Sequence, residues 1–167
     1  MAGALIITAE IAAADFSWLE GLRRTHYPPE RNKVAAHLTI FHALPPSSKA
    51  EARVRLSKIV RQASPKASIE GLMDLGGGVA FRVVSEDLDR IRDELKDEFF
   101  GLLGFQDRSG WRPHITIQNK VSAKLARTLK QTLESSFRPR SLGISGLGLH
   151  RYIDGPWEKL GAYKFRS

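Results

Sequence analysis

Two copies of one short motif, one in each half of the chain, constrain this sequence more than any other feature. The first copy reads HLTI from His37 and the second reads HITI from His114. Successive side chains of a β-strand point to opposite faces, so the His and the Thr of each copy share one face. The aliphatic residues fall on the other face. The pattern therefore predicts two strands, each with a polar face and a core face.

The segments around the two motifs repeat in the same order of strand, helix, loop, strand, helix and strand. A predicted helix with Ser48 or Ser122 at its start follows each motif strand, and the next strand contains GLMDL in one half and GLGLH in the other. Such a long repeat favours a pseudo-twofold arrangement. We expect one α+β domain over residues 1–167, with repeat halves at approximately 1–77 and 78–167. Each of its two lobes holds a sheet and helices, and both contribute a motif strand to the cleft between them.

Three local patterns give predictions about the parts next to that cleft. The glycines Gly76–Gly78 stand before the strand VAFRVV rather than before a helix, which favours a hairpin turn over a nucleotide-binding loop. The segment PRSLGISGLGLHRY is predicted as one strand, joined to PWEKLGAYKF by the turn IDGP. The helix after Ser48 is predicted to be capped by that residue and to use as its apolar side Val54, Leu56, Ile59 and Val60.

Composition restricts the chemistry and the partners. The 167 residues include no cysteine, which excludes disulfides, thiolate nucleophiles and iron–sulfur clusters and fits a cytoplasmic protein. The N-terminal apolar stretch is too short to span a membrane and lacks the basic start of a signal peptide. A net charge of +8 suits either a phosphate-rich partner or simple solubility. We expect a monomer, because the repeat already supplies twofold symmetry.

Two imidazoles that face one cleft can divide the proton transfers of phosphodiester cleavage. One accepts a proton from the nucleophile and the other donates a proton to the leaving oxygen, and each transfer is typically worth about 10²–10⁴-fold in rate. The hydroxyls of Thr39 and Thr116 can donate hydrogen bonds to the phosphate oxygens. Arg112 has the same strand parity as His114, so it can reach the same phosphate. The alternative is a structural role, in which it pairs with a carboxylate such as Asp107 or with backbone at the strand entry.

The motifs HLTIFHALP and RPHITIQNK, set in this internal repeat, resemble those of the 2H phosphoesterase superfamily. The resemblance is to the bacterial proteins known as 2′-5′ RNA ligases or RNA 2′,3′-cyclic phosphodiesterases. It implies a two-lobed α+β fold and a metal-independent, cofactor-free hydrolase that converts 2′,3′-cyclic phosphate ends of RNA or nucleotides to 2′-phosphates. By the same resemblance His37 protonates the departing 3′ oxygen, His114 activates water, and Thr39 and Thr116 hold the phosphate. Pseudo-symmetry leaves open an exchange of the two histidine roles.

Two other functions remain open at this point. The cleft suits a non-catalytic module that binds the phosphates of RNA or nucleotides, although binding alone would not need a pair of histidines. The same two histidines could also run the reaction in reverse, as a 2′-5′ RNA ligase. No nucleotide-binding loop is visible, so such joining would draw on the energy of the cyclic phosphate.

The other histidines and the aromatic residues near the motifs can have either structural or functional roles. His42 has the opposite strand parity to His37, and no acidic residue lies near either motif in sequence, so we expect no metal site there. We interpret His26 and His150 as surface or interface residues. Four aromatic residues near the motif strands either stack a nucleobase or pack between the lobes: Phe41, Trp111, Tyr152 and Trp157.

Overall fold

Two antiparallel sheets of four strands each form the framework of the computed structural model, which describes residues 3–167. The strands are β1 (Leu5–Ile11), β2 (Leu38–Leu44), β3 (Ala67–Asp74), β4 (Val79–Val84), β5 (His114–Gln118), β6 (Arg140–Leu142), β7 (Ile144–Tyr152) and β8 (Trp157–Lys164). The helices are α1 (Ala13–His26), α2 (Lys49–Ile59), α3 (Glu86–Phe99), α4 (Phe105–Arg108) and α5 (Ala123–Ser136). Short 3₁₀ turns cover Pro29–Arg31, Pro46–Ser48 and Phe100–Leu102. The predicted two-lobed α+β class is confirmed.

The strand orders show how the repeat builds the lobes. One sheet has the order β2-β1-β7-β8 and the other has the order β5-β4-β3-β6. Strands β1 and β2 therefore correspond to β4 and β5, as the repeat predicts. The third strand of each half crosses over, because β3 joins the second sheet and β7 joins the first. Each lobe thus contains strands from both halves, and the motif strands β2 and β5 occupy equivalent edges.

The crossing point after α5 corrects the prediction of one long strand. The segment divides at Gly143 into β6, which pairs with β3, and β7, which pairs with β1. The amide of Gly143 donates to the Asp15 carboxylate over 2.8 Å, and its carbonyl accepts from the Ala12 amide over 2.9 Å. A Cβ at Gly143 would lie 2.7 Å from the Cβ of Ala12. The start of α1 therefore holds the chain where it passes between sheets.

The two predicted turns have the expected form. Gly76 has φ +85°, which favours glycine, and the Leu75 amide donates to the Gly78 carbonyl to close the β3–β4 hairpin. A Cβ at Gly78 would overlap the Gln118 carbonyl oxygen, so only glycine fits beside the end of β5. The IDGP turn joins β7 to β8, with positive φ at Asp154 and Gly155.

Helix α2 differs from its prediction in two ways. Its buried face consists of Ala52, Leu56 and Ile59, whereas Val54 is 49% exposed. Ser48 makes no capping hydrogen bond, because a 3₁₀ turn precedes the helix and leaves the residue outside the extended conformation that caps require. The Ser122 side chain does cap α5, by accepting from the Leu125 amide.

The lobes share one continuous hydrophobic core. Ile7 and Leu38 of the first sheet belong to the same buried cluster as Phe81 and Ile115 of the second. Burial of this kind fixes the position of one sheet relative to the other. Within residues 3–167 the structure has no helix long and apolar enough to cross a membrane.

Candidate active site

His37 lies immediately before β2, with its imidazole held by its own backbone turn. Its Nδ1 lies 2.8 Å from the carbonyl oxygen of Ala35. A carbonyl only accepts hydrogen bonds, so Nδ1 carries the proton and Nε2 is the free nitrogen of the neutral ring. The ring of Trp157 packs against it, with 4.6 Å between centroids. These contacts fix the tautomer and the orientation of the first motif histidine.

His114 is the first residue of β5 and repeats that arrangement in the other lobe. Its Nδ1 donates to the carbonyl oxygen of Arg112 over 2.7 Å, two residues earlier in the chain. By the same argument Nε2 is free to exchange protons. The sequence repeat has therefore preserved a side-chain hydrogen bond as well as the order of strands.

The predicted site residues meet in one cleft of about 410 Å³ between the two lobes. His37, Thr39, His114, Thr116 and Arg112 all contribute to its wall. Other residues lining it are His42, Met73, Leu75, Arg92, Gln106, Gly110, Trp111 and Trp157. The topology explains this convergence, because β2 and β5 are equivalent edge strands that face each other.

The two motif threonines lie half-buried in the cleft. The backbone carbonyl of each accepts a hydrogen bond from a side chain in the other half of the sequence. The carbonyl of Thr39 accepts a hydrogen bond from the indole of Trp111 over 3.1 Å. The carbonyl of Thr116 accepts one from the guanidinium of Arg23 over 2.8 Å. Each motif strand is therefore held in place by a residue from the other half of the chain.

Arg112 is an exposed residue on the cleft wall, and its pairing with Asp107 does not occur. The buried Asp107 carboxylate instead accepts from the amides of His42 and Ala43 over 2.8 and 2.9 Å. Among residues 3–167, Arg112 forms no ion pair with a carboxylate. Its guanidinium is thus available to an anion in the cleft.

The parity argument for His42 is wrong, because the pairing of β2 with β1 is irregular. The register shifts between Leu5 and Ile7 and again between Ile7 and Thr8, so both Ile40 and Phe41 are buried. His42 consequently lines the cleft, where its Nδ1 lies 3.2 Å from Asp107, an acidic residue that is close in space although distant in sequence. Phe41 is completely buried and does not stack with a ligand.

Two buried arginines, which we call the cross-lobe arginines Arg23 and Arg92, are absent from the sequence-based site. Arg23 on α1 also donates to the Asn32 side chain and the Val34 carbonyl, each over 2.8 Å. Arg92 on α3 donates to the carbonyls of Ile40 and Asp107. Each therefore bonds to the opposite motif strand. The sequence does contain a signal for their burial. Arg23 follows the buried Leu19 by four residues, and Arg92 follows the buried Leu88 by four, so each arginine lies on the buried face of its helix.

The surroundings of His37 lower its pKa well below that of an ordinary histidine. Burial lowers the pKa of His37 to about 4, and the positive charge of Arg23 acts in the same direction. The bond to Ala35 opposes this shift only in part. His150, whose Nε2 lies 2.9 Å from the Thr8 hydroxyl, also has a pKa lowered by burial. His37 is therefore neutral at pH 7 unless a bound anion raises its pKa.

No group of three His, Asp or Glu side chains within residues 3–167 is arranged to hold a metal ion. Of the remaining aromatic residues, Trp111 and Trp157 line the cleft, and Tyr152 lines a neighbouring cavity. Base stacking by these three residues stays a prediction.

The fold is similar to those of several solved structures at low sequence identity. A phosphoesterase is 19% identical, with 100% of each chain covered and a TM-score of 0.67. TT0787 of Thermus thermophilus is 16% identical, with 98% of each chain covered and a TM-score of 0.66. E. coli LigT in complex with 3′-AMP is 17% identical, with 100% of each chain covered and a TM-score of 0.65.

Sequence comparison with curated proteins gives no match. A family model, however, matches residues 10–156 and so includes both His-x-Thr motifs. Because this match covers most of the chain, the protein belongs to the 2′-5′ RNA ligase superfamily.

Proposed function

We propose that the protein is a metal-independent phosphodiesterase that hydrolyses 2′,3′-cyclic phosphate ends of RNA or nucleotides to 2′-phosphates. One observation carries the proposal. The two motif histidines present free Nε2 atoms to one cleft, and each has its Nδ1 proton bound to the carbonyl two residues earlier. This geometry provides two proton-transfer groups with fixed tautomers beside two hydroxyls and a free guanidinium.

In the proposed reaction, Nε2 of His114 accepts a proton from water as the water oxygen forms a bond to phosphorus. The bond between phosphorus and the 3′ oxygen breaks, and protonated His37 donates its Nε2 proton to that oxygen. The product carries a 2′-phosphate and a 3′-hydroxyl, and one further proton exchange with solvent restores both rings. No other reactant is needed for the atoms and charges to balance.

The acid role requires the substrate to change the protonation state of His37. A pKa of about 4 leaves this ring neutral at pH 7 before substrate binds. The negative charge of a bound cyclic phosphate stabilises the imidazolium and raises that pKa. Substrate binding itself therefore produces the protonated acid in this proposal.

The phosphate is held by groups that surround the two rings. The hydroxyls of Thr39 and Thr116 donate to the non-bridging oxygens, and Arg112 supplies a positive charge at the cleft wall. Such donors act most strongly on the charge that develops in the transition state. The E. coli LigT complex with 3′-AMP, which shares this fold, supports a nucleotide as the ligand.

Ligation is the second candidate, and the family description favours it. In that direction a 5′-hydroxyl replaces water as the nucleophile on the cyclic phosphate, and the bond energy of the ring drives the joining. Hydrolysis has the stronger support because water at high concentration competes for the same phosphorus.

Phosphorus NMR tests the proposal directly. Adenosine 2′,3′-cyclic phosphate is incubated in EDTA with the wild-type protein, His37→Ala or His114→Ala. We expect the wild type alone to give the 2′-phosphate. Formation of the 3′-phosphate, or complete loss of turnover in EDTA with recovery on adding a metal, contradicts the proposal. Tight binding without turnover favours the non-catalytic binding module.

A further inference from the structure

A second cavity of about 350 Å³ adjoins the cleft at two of the motif residues. We call it the side pocket, and it shares His37 and Thr116 with the cleft. Its remaining wall consists of Arg23, Tyr27, Arg31, Lys33, Val34, Asn119, Tyr152 and Gly155. A ligand bound at His37 can therefore extend from the cleft into this space without leaving the protein surface.

The side pocket is positively charged, and two of its cations are free. Of the residues that the structure describes, no Asp or Glu lines it. Arg31 and Lys33 are exposed, and neither forms an ion pair in the part of the chain that the structure describes. Arg23 adds charge, but its terminal nitrogens already bind Thr116, Asn32 and Val34. Arg31 and Lys33 are thus the groups available to a ligand.

The turn between β7 and β8 forms part of the side-pocket wall. Gly155 has φ +119°, and a Cβ placed on it would lie 4.0 Å from Cγ of Lys33. The turn between β7 and β8 therefore lies against the stem of Lys33. Tyr27, which follows α1, and Tyr152, the last residue of β7, also line the wall, and a phenol hydroxyl can donate a hydrogen bond.

We propose that the side pocket binds a second phosphate of the same substrate molecule, so that the enzyme prefers cyclic phosphates bearing another phosphate over simple nucleoside cyclic phosphates. This inference rests on the proposed function, which places the cyclic phosphate at His37 and His114. Free cations beside a phosphate-binding cleft attract phosphate oxygens. The inference concerns substrate choice, which the histidine pair alone does not determine.

The test compares two substrates that differ by one phosphate: adenosine 2′,3′-cyclic phosphate and its 5′-phosphorylated form. We expect the wild type to favour the second by about tenfold or more in kcat/KM, the effect of one charge-assisted contact. In the double variant Arg31→Ala with Lys33→Ala, this ratio falls to within about twofold of one, by the same argument. The matched control removes the same charge from exposed residues on α5, Lys124→Ala with Arg127→Ala, and keeps the wild-type ratio.

A binding measurement separates this inference from the proposed function. Calorimetry compares adenosine 2′-phosphate with adenosine 2′,5′-bisphosphate, neither of which contains a cyclic phosphate. We expect the bisphosphate to bind about tenfold more tightly to the wild type, with the preference lost only in the side-pocket variant. An unchanged preference in that variant, or an equal loss in the α5 control, overturns the inference. If these affinities behave as expected but no cyclic phosphate is hydrolysed, the proposed hydrolysis fails while the side pocket stands as the site of a second phosphate.

Discussion

The two motif histidines occupy equivalent positions but different surroundings. Both donate Nδ1 to the carbonyl two residues earlier, at 2.8 Å for His37 and 2.7 Å for His114. Of these two rings, only that of His37 packs against an aromatic ring among residues 3–167, that of Trp157. Its pKa is lowered to about 4 by burial and by nearby positive charge. The repeat thus gives both histidines the same Nδ1 hydrogen bond to the backbone. The side chains around the two rings differ, which allows one ring to act as acid and the other as base.

Removal of either ring should have the largest effect of any single substitution. We expect His37→Ala and His114→Ala each to lower kcat on a cyclic phosphate by about 10³-fold, since each loses one proton transfer. Chromatography of the products measures the rates, and circular dichroism confirms that the variants are folded. The double variant should lose little more than either single variant, because the two groups act in one step. Full activity in either single variant contradicts the account.

The cross-lobe arginine Arg23 should matter next, through the position of β5. Arg23→Ala leaves three half-buried acceptors without their donor, and we expect a loss of about 3 kcal/mol in the free energy of unfolding. Urea denaturation measures the change. The exposed neighbour provides a matched control, since Arg24→Ala should change stability by less than about 0.5 kcal/mol. Equal effects of the two substitutions would show that the cross-lobe hydrogen bonds contribute nothing.

The lowered pKa of His37 predicts an acid-sensitive fold. The unfolded chain binds a proton at a pKa of about 6.5, whereas folded His37 binds it at about 4. Stability is therefore fully present above pH 6.5 and is lost as pH falls towards 4, by about 2–3 kcal/mol from this residue. Urea denaturation at pH 7.5 and 4.5 should show a smaller loss in His37→Asn than in the wild type. The same loss in both proteins removes the basis for the unequal histidines.

Ligand binding should shift the pKa of His37 upwards, opposite to the effect of burial. Nuclear magnetic resonance of ¹⁵N-labelled histidines follows the pKa of His37 with and without adenosine 2′-phosphate. The bound phosphate should raise it, because the anion stabilises the imidazolium. A pKa that stays near 4 in the complex is incompatible with His37 as the acid at neutral pH.

The threonines should show the smallest of these effects. Thr39→Val and Thr116→Val preserve shape and remove one donor, and we expect each to lower kcat by about tenfold. Serine retains the hydroxyl, so Thr39→Ser and Thr116→Ser should recover most of the rate. Recovery that fails with serine would assign the role to the methyl group and its packing.

Much of this arrangement follows from the sequence because the repeat carries long-range information. The two motif strands, the helices after them and the shared cleft could be predicted from His37, His114 and their neighbours. The exchange of β3 and β7 could not, since strand pairing is decided by packing between distant segments. His42 was misplaced because a bulge reverses strand parity, and Arg23 was missed because its partners lie in other segments. Cytoplasmic location and a monomeric state stay predictions.

The central claim is that the two histidines divide the proton transfers, and an activated diester tests it most directly. Bis(p-nitrophenyl) phosphate has a leaving group that departs without protonation, so the acid is dispensable while the base is still required. We predict that His37→Ala retains most of the wild-type rate on this diester and loses it on the cyclic phosphate, whereas His114→Ala loses both. Equal losses by the two variants on both substrates would contradict the division of roles.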